Sequence, residues 1–165
     1  MIQTGYRIAM LVSGAGALLI AAALGVGSAL GAEPAAVPPE VGLWQTFSDE
    51  TGKPEGFIRI SLVGDELRGV IERGMPGDDP NELCTKCPGD RKDHKMIGLT
   101  IISGVHKQAD YKQGDYWSGG EVLDPRKGTT YRCKLRAIDS GRKLEMRGYI
   151  GFSLLGRTQT WVRAE

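Results

Sequence analysis

Charge of one sign is what this chain has least of. Its 165 residues carry 21 Lys and Arg against 20 Asp and Glu, a formal net charge of +1. A near-neutral chain lacks the electrostatic footprint that nucleic acid requires. Aromatic residues are scarce at 7%, and there are 2 histidines and 3 cysteines. No phosphate loop, dinucleotide fingerprint or HExxH occurs, so the common nucleotide and zinc-protease chemistries find no support. His94 sits between Asp93 and Lys95 and reads as solvated surface, and His106 ends an apolar run in front of Lys107. Neither falls into a Ser-His-Asp order that the sequence could define. Asp49-Glu50 and Asp78-Asp79 read as turn residues rather than an acid/base pair. The sequence thus designates no catalytic residue, no cofactor and no metal ligand set, and leans away from an enzyme. Helical periodicity bounded by caps is also missing, which argues against a helical fold.

What is present begins with a stretch free of charge. After Arg7, no charged residue occurs from Ile8 to Ala32, and the run ends in Gly27, Ser28, Ala29, Gly31 and Ala32. A positive start, an apolar middle and a small-residue exit describe a secretory signal peptide, residues 1–32, cleaved between 29 and 32. The expected location is periplasmic or secreted, with no stable membrane span once the segment is removed. Residues 33–40 hold Pro34, Pro38 and Pro39 and read as an extended linker. One domain is expected over 41–165, close to the commonest domain size.

Within that domain the period is 2. Thr129, Tyr131, Cys133, Leu135 and Ala137 alternate with Thr130, Arg132, Lys134 and Arg136. In Lys143–Ile150, Leu144, Met146, Gly148 and Ile150 alternate with Lys143, Glu145 and Arg147, and shorter alternations cover Ile58–Leu62 and Leu67–Glu72. Weaker candidates are Leu43–Phe47, Met96–Val105, Tyr116–Leu123 and Arg157–Arg163. In Met96–Val105, Ile97, Ile101 and Val105 are four apart, which also fits a short helix. Gly64-Asp65, Asp124–Gly128 and Asp139-Ser140-Gly141 suit tight turns. The expected fold is all-β, an antiparallel meander of about eight strands that closes into a barrel and so removes its exposed edges. The 24 glycines include several inside strands, where a small barrel bends.

One connection is long. Gly74 to Lys95 is polar, holds three prolines, and carries Cys84 and Cys87 in a CxxC, while Cys133 lies on an inward strand face. A structural bridge is expected in an oxidising compartment. Either Cys84 pairs with Cys87, leaving Cys133 a buried thiol, or one of them pairs with Cys133. A redox role lacks the βαβ setting, haem attachment lacks the following His, and nothing in the spacing demands zinc on Cys84, Cys87, Cys133 and His94.

Gly42-Leu43-Trp44 is a GxW at the domain start. Trp44 beneath an arginine of the last strand, Arg157 or Arg163, would close a barrel floor through a cation–π contact. That arrangement resembles the lipocalin closure. The run from Arg147 to Trp161 interleaves glycines with Tyr149, Phe152, Leu154 and Leu155. It reads equally as a core-filling turn or as an apolar rim at a barrel mouth.

Four segments in this order, GLWQTFSDETGKPEGFIRI, CTKCPGDRK, YWSGGEVLDPRKGTTYRCK and RGYIGFSLLGRTQTWVR, resemble the exported bacterial family catalogued as domain of unknown function 2147. The resemblance spans roughly Val41 to Glu165. It implies a small exported protein with a lipocalin-like β-barrel, and it implies no activity. The leading expectation is a barrel that holds a small apolar or amphipathic ligand. Tyr131, Leu135, Leu144 and Met146 would line its inside, with Trp117, Tyr149 and Phe152 at the mouth. The alternatives are a thiol or metal protein working through its three cysteines, and an envelope protein-interaction module using the long loop or the glycine-rich run. The protein partner for the last is not specified by the sequence.

Overall fold

The computed structural model describes residues 36–109 and 114–165. The expected signal peptide lies outside them. Eight strands follow in chain order: β1 (Gly42–Phe47), β2 (Pro54–Val63), β3 (Glu66–Arg73), β4 (Thr100–Gln108), β5 (Tyr116–Asp124), β6 (Thr129–Ile138), β7 (Lys143–Tyr149) and β8 (Gly156–Arg163). Each pairs antiparallel with the next, and β1 pairs with β8, so the sheet is a closed barrel. It is an all-β meander, as the alternation predicts.

The inward faces supply the core. Trp44, Ile60, Leu67, Ile102, Cys133, Leu135 and Leu144 are all buried. The outward faces carry charge, and Arg136 pairs with Glu145, its register partner on β7, at 3.1 Å. Met96–Val105 is not a helix. β4 starts at Thr100, and the register against β3 shifts on both sides of Gly69. That irregularity buries the adjacent Ile101 and Ile102 together, while Ile97 lies before the strand and is exposed, so Ile97, Ile101 and Val105 share no face.

The turns follow local chemistry. Gly64 takes φ +65° in the two-residue turn between Val63 and Glu66. In the β5–β6 turn the Asp124 carboxylate accepts the amides of Arg126 and Lys127, each at 3.1 Å, and the Gly128 amide donates to the Asp124 carbonyl at 2.8 Å. Gly128 has φ +69°, and a β-carbon there would lie 1.9 Å from the Lys86 carbonyl oxygen. Gly128→Ala therefore combines backbone strain with a backbone clash, and should lower stability by about 3 kcal/mol in urea denaturation. A loss under 1 kcal/mol would mean that the long loop does not rest on this turn.

The two ends of the barrel differ. At one end lie the β2–β3 and β6–β7 turns and the chain entering β1. Trp44 is fully buried there, and its indole N–H donates to the Glu40 carbonyl at 2.8 Å. The Arg163 guanidinium lies 4.2 Å from the Trp44 ring centroid. Arg163 also donates to the carbonyls of Pro39, Val41, Gly141 and Glu165. Of the two arginines considered for this floor, Arg163 occupies it. Arg157 stands near the start of β8, at the opposite end, because the strand is antiparallel to β7 with Arg157 beside Gly148. The stretch read as a linker ends in Glu40, which is only 5% exposed and accepts the Ala137 amide at 3.0 Å.

Candidate ligand-binding site

The other end holds four connections: β1–β2, the long β3–β4 segment, β5–β6 and β7–β8. Between them the barrel opens into a cavity of about 890 Å³. This lies within the ~300–1,000 Å³ of small-molecule sites. Its apolar wall includes Ile58, Ile71, Ile101, Val122, Met146 and Trp161. These come from six strands, and each stands at an inward position or beside a bulge.

The long segment is folded onto the mouth rather than loose. Cys84 and Cys87 are bonded to each other, with Cα atoms 5.4 Å apart. Leu83 bridges to Lys95, the Cys84 amide donates to the His94 carbonyl at 2.8 Å, and the Asp93 amide donates to the Cys84 carbonyl at 3.0 Å. Arg91 reaches Glu121 on β5 at 3.6 Å. Cys84 Sγ lies 3.4 Å from the Pro125 carbonyl oxygen in the β5–β6 turn. A small closed ring thus sits against that turn.

Charge rims the opening. Glu55, at the start of β2, pairs with Arg126 of the β5–β6 turn at 3.4 Å. β2 and β5–β6 stand on opposite sides of the barrel, so this pair spans the mouth. Burial raises the pKa of Glu55 above the ordinary carboxyl value; Arg126 opposes that, and Asp124, Asp49 and Glu50 reinforce it.

Cys133 is a free thiol, fully buried inside the barrel. Burial, with a contribution from the Glu121 carboxylate, pushes its pKa up to about 12. Among the described residues no three of His, Cys, Asp and Glu stand together as a metal group.

Of the residues expected to meet a ligand, Tyr131, Met146 and Tyr149 border the cavity. Trp117, Leu135 and Leu144 lie in the packed core below it and are not on its wall. Phe152 is on the β7–β8 connection, 80% exposed, next to the equally open Leu154 and Leu155. Arg147 holds that connection by donating to the carbonyls of Ser153 at 2.7 Å and Leu154 at 3.2 Å. Ile58, Ile71, Ile101, Val122 and Trp161 join the wall without having been expected there. Their inward direction was legible from the period of 2, but their height in the barrel depends on register.

A family model described as an uncharacterized protein conserved in bacteria (DUF2147) matches residues 42–163. The chain belongs to that family. The match runs from the first residue of β1 to the last residue of β8, so the DUF2147 region and the barrel coincide. Comparison with curated proteins finds no match. Among solved structures, this DUF2147 chain is similar to protein HP1028 of Helicobacter pylori, described as belonging to the lipocalin family. The TM-score is 0.64 at 19% identity, covering 79% of this chain and 84% of that one. At that identity the likeness concerns the fold, which is a lipocalin-like barrel. No helix among the described residues is long and apolar enough to cross a membrane.

Proposed function

We propose that this DUF2147 protein is an exported carrier that holds a small apolar or amphipathic molecule in the barrel cavity. The observation that carries the reading is the cavity itself: about 890 Å³, open at one end, apolar on its wall. A barrel packed solid to both ends would have no such space. The lipocalin-like fold is consistent with small-ligand binding, although fold alone does not assign it. Export is supported by the charge-free segment Ile8–Ala32 and by the Cys84–Cys87 bridge, a bond that persists in oxidising compartments.

The test is a native mass spectrum of the protein taken from its own host without reductant. The expected result is an organic excess mass that disappears on denaturation, on a chain shortened by cleavage between residues 29 and 32. A chain that carries no added mass, and takes up no alkyl probe in titration, overturns the carrier reading. A full-length chain overturns the export reading.

A further inference from the structure

The cavity is not uniformly apolar, and the polar groups that β8 turns into it are of one kind. From mouth to floor, the inward face of β8 presents Arg157, Gln159 and Trp161, paired with Gly148, Met146 and Leu144 of β7. The Trp161 indole N–H donates to Gln159 Oε1 at 2.9 Å. That bond fixes the amide so that its NH₂ end is the free end. The Arg157 guanidinium makes no hydrogen bond or ion pair with any described residue. Two positions on one inward face therefore offer donors without acceptors, one of them permanently charged.

Of the acids that border the same opening, Asp78 accepts the Met75 amide and Asp79 the Asn81 amide, and Asp49, Glu50 and Glu82 stand on the rim as well. Glu55 pairs with Arg126, and Asp124 with Lys127 and the amides of its own turn. Beside Arg157 the wall carries no side chain. Gly148 has no side chain, and a β-carbon there would lie 3.5 Å from the Tyr131 β-carbon and 3.8 Å from Val122 Cγ1. Gly148 thus leaves the stretch of wall beside Arg157 to Tyr131 and Val122, next in register to Met146–Gln159.

We propose that the ligand is a single-chain amphiphile with an anionic headgroup, bound head-up. The headgroup meets Arg157 and the Gln159 amide at the mouth, over Gly148, and the alkyl chain descends along Met146 and Trp161. This rests on the carrier reading above and adds the sign and position of the ligand's charge. A planar guanidinium suits carboxylate and phosphate alike, so the shared chemistry is an anion on an alkyl chain.

Calorimetric titration of the full mature protein, stripped of bound ligand, tests it. The probes are dodecanoate, dodecyl phosphate, dodecanol and dodecyltrimethylammonium, each below its micellar concentration. Because Arg157 is partly open to solvent, its contribution falls at the low end for a charge-assisted hydrogen bond, about tenfold in affinity. Dodecanoate or dodecyl phosphate should bind about tenfold tighter than dodecanol, and the ammonium weakest. The tighter of the two anions identifies the headgroup. Arg157→Gln should bring the anions down to the dodecanol level and leave dodecanol unchanged. Arg157→Lys should keep part of the preference. Gly148→Leu should project a side chain into the cavity and weaken all four. Equal binding of dodecanol and both anions, or a preference that survives Arg157→Gln, overturns the head-up anion while leaving the carrier. Binding of none of the four overturns the carrier reading itself.

Discussion

Arg163→Ala should lower the unfolding free energy by about 3–5 kcal/mol. The guanidinium stacks over Trp44 and donates to four carbonyls, drawn from the segment before β1, the β6–β7 turn and the residues after β8. Hydrogen bonds from a charged group contribute about 1.5–3 kcal/mol each when shielded, and less where water competes, as it does here for part of the group. The cation–π contact adds about 1 kcal/mol. The same residue joins the seam, since Trp44 and Arg163 are one of only two register pairs between β1 and β8. Arg163→Lys keeps the charge but not the planar fork, and should recover less than half of the loss. Urea denaturation measures both. Full recovery by lysine would mean that charge, not the multiple carbonyl contacts, holds the floor.

The second large effect is chemical protection. In the folded protein at pH 8, Cys133 should react with iodoacetamide on the order of a thousandfold more slowly than an ordinary thiol. Its pKa is pushed from 9.0 up to about 12, chiefly by burial, so the reactive thiolate is correspondingly rare. The sign for stability follows. The folded state holds the proton more tightly than the unfolded state, so the thiol's contribution is complete below pH 9 and is lost as pH rises toward 12. Cys133→Ala should flatten that alkaline decline. Mass spectrometry of the alkylated chain, with and without urea, reads the protection directly. A single label should appear only in urea, because Cys84 and Cys87 are bonded to each other. Rapid labelling of the folded protein would mean that the barrel interior opens on the timescale of the reagent.

Much of the fold was legible because a half-buried strand writes its geometry into every second residue. Thr129–Ala137 lies within β6, and Lys143–Ile150 extends one residue past β7. The turn at Gly64-Asp65 and the position of Trp44 at the barrel floor were legible for equally local reasons. What escaped depends on relations between strands. Arg157 and Arg163 have the same parity on β8 and both point inward. They lie at opposite ends of the strand, and the stagger of β8 against β1 decides which of them meets Trp44. The same stagger separates Leu144, packed in the core, from Met146 on the cavity wall, two residues away. The two cysteine pairings were equally open in the sequence, since spacing does not say which loop lies near which strand. Glu40 gave no signal at all, because its partners are the Trp44 indole and the Ala137 amide of a strand distant in sequence.

The seam has a consequence for folding. Val41 and Arg163 are 122 residues apart, and the contacts between them join the first strand to the last. Every other strand pair joins neighbours in sequence. This one does not, and the cost of bringing such distant segments together falls on the closing step. Until β8 docks on β1 the sheet is an open ribbon with two unpaired edges. The folding chain is therefore most exposed to aggregation and to chaperone capture just before the barrel closes.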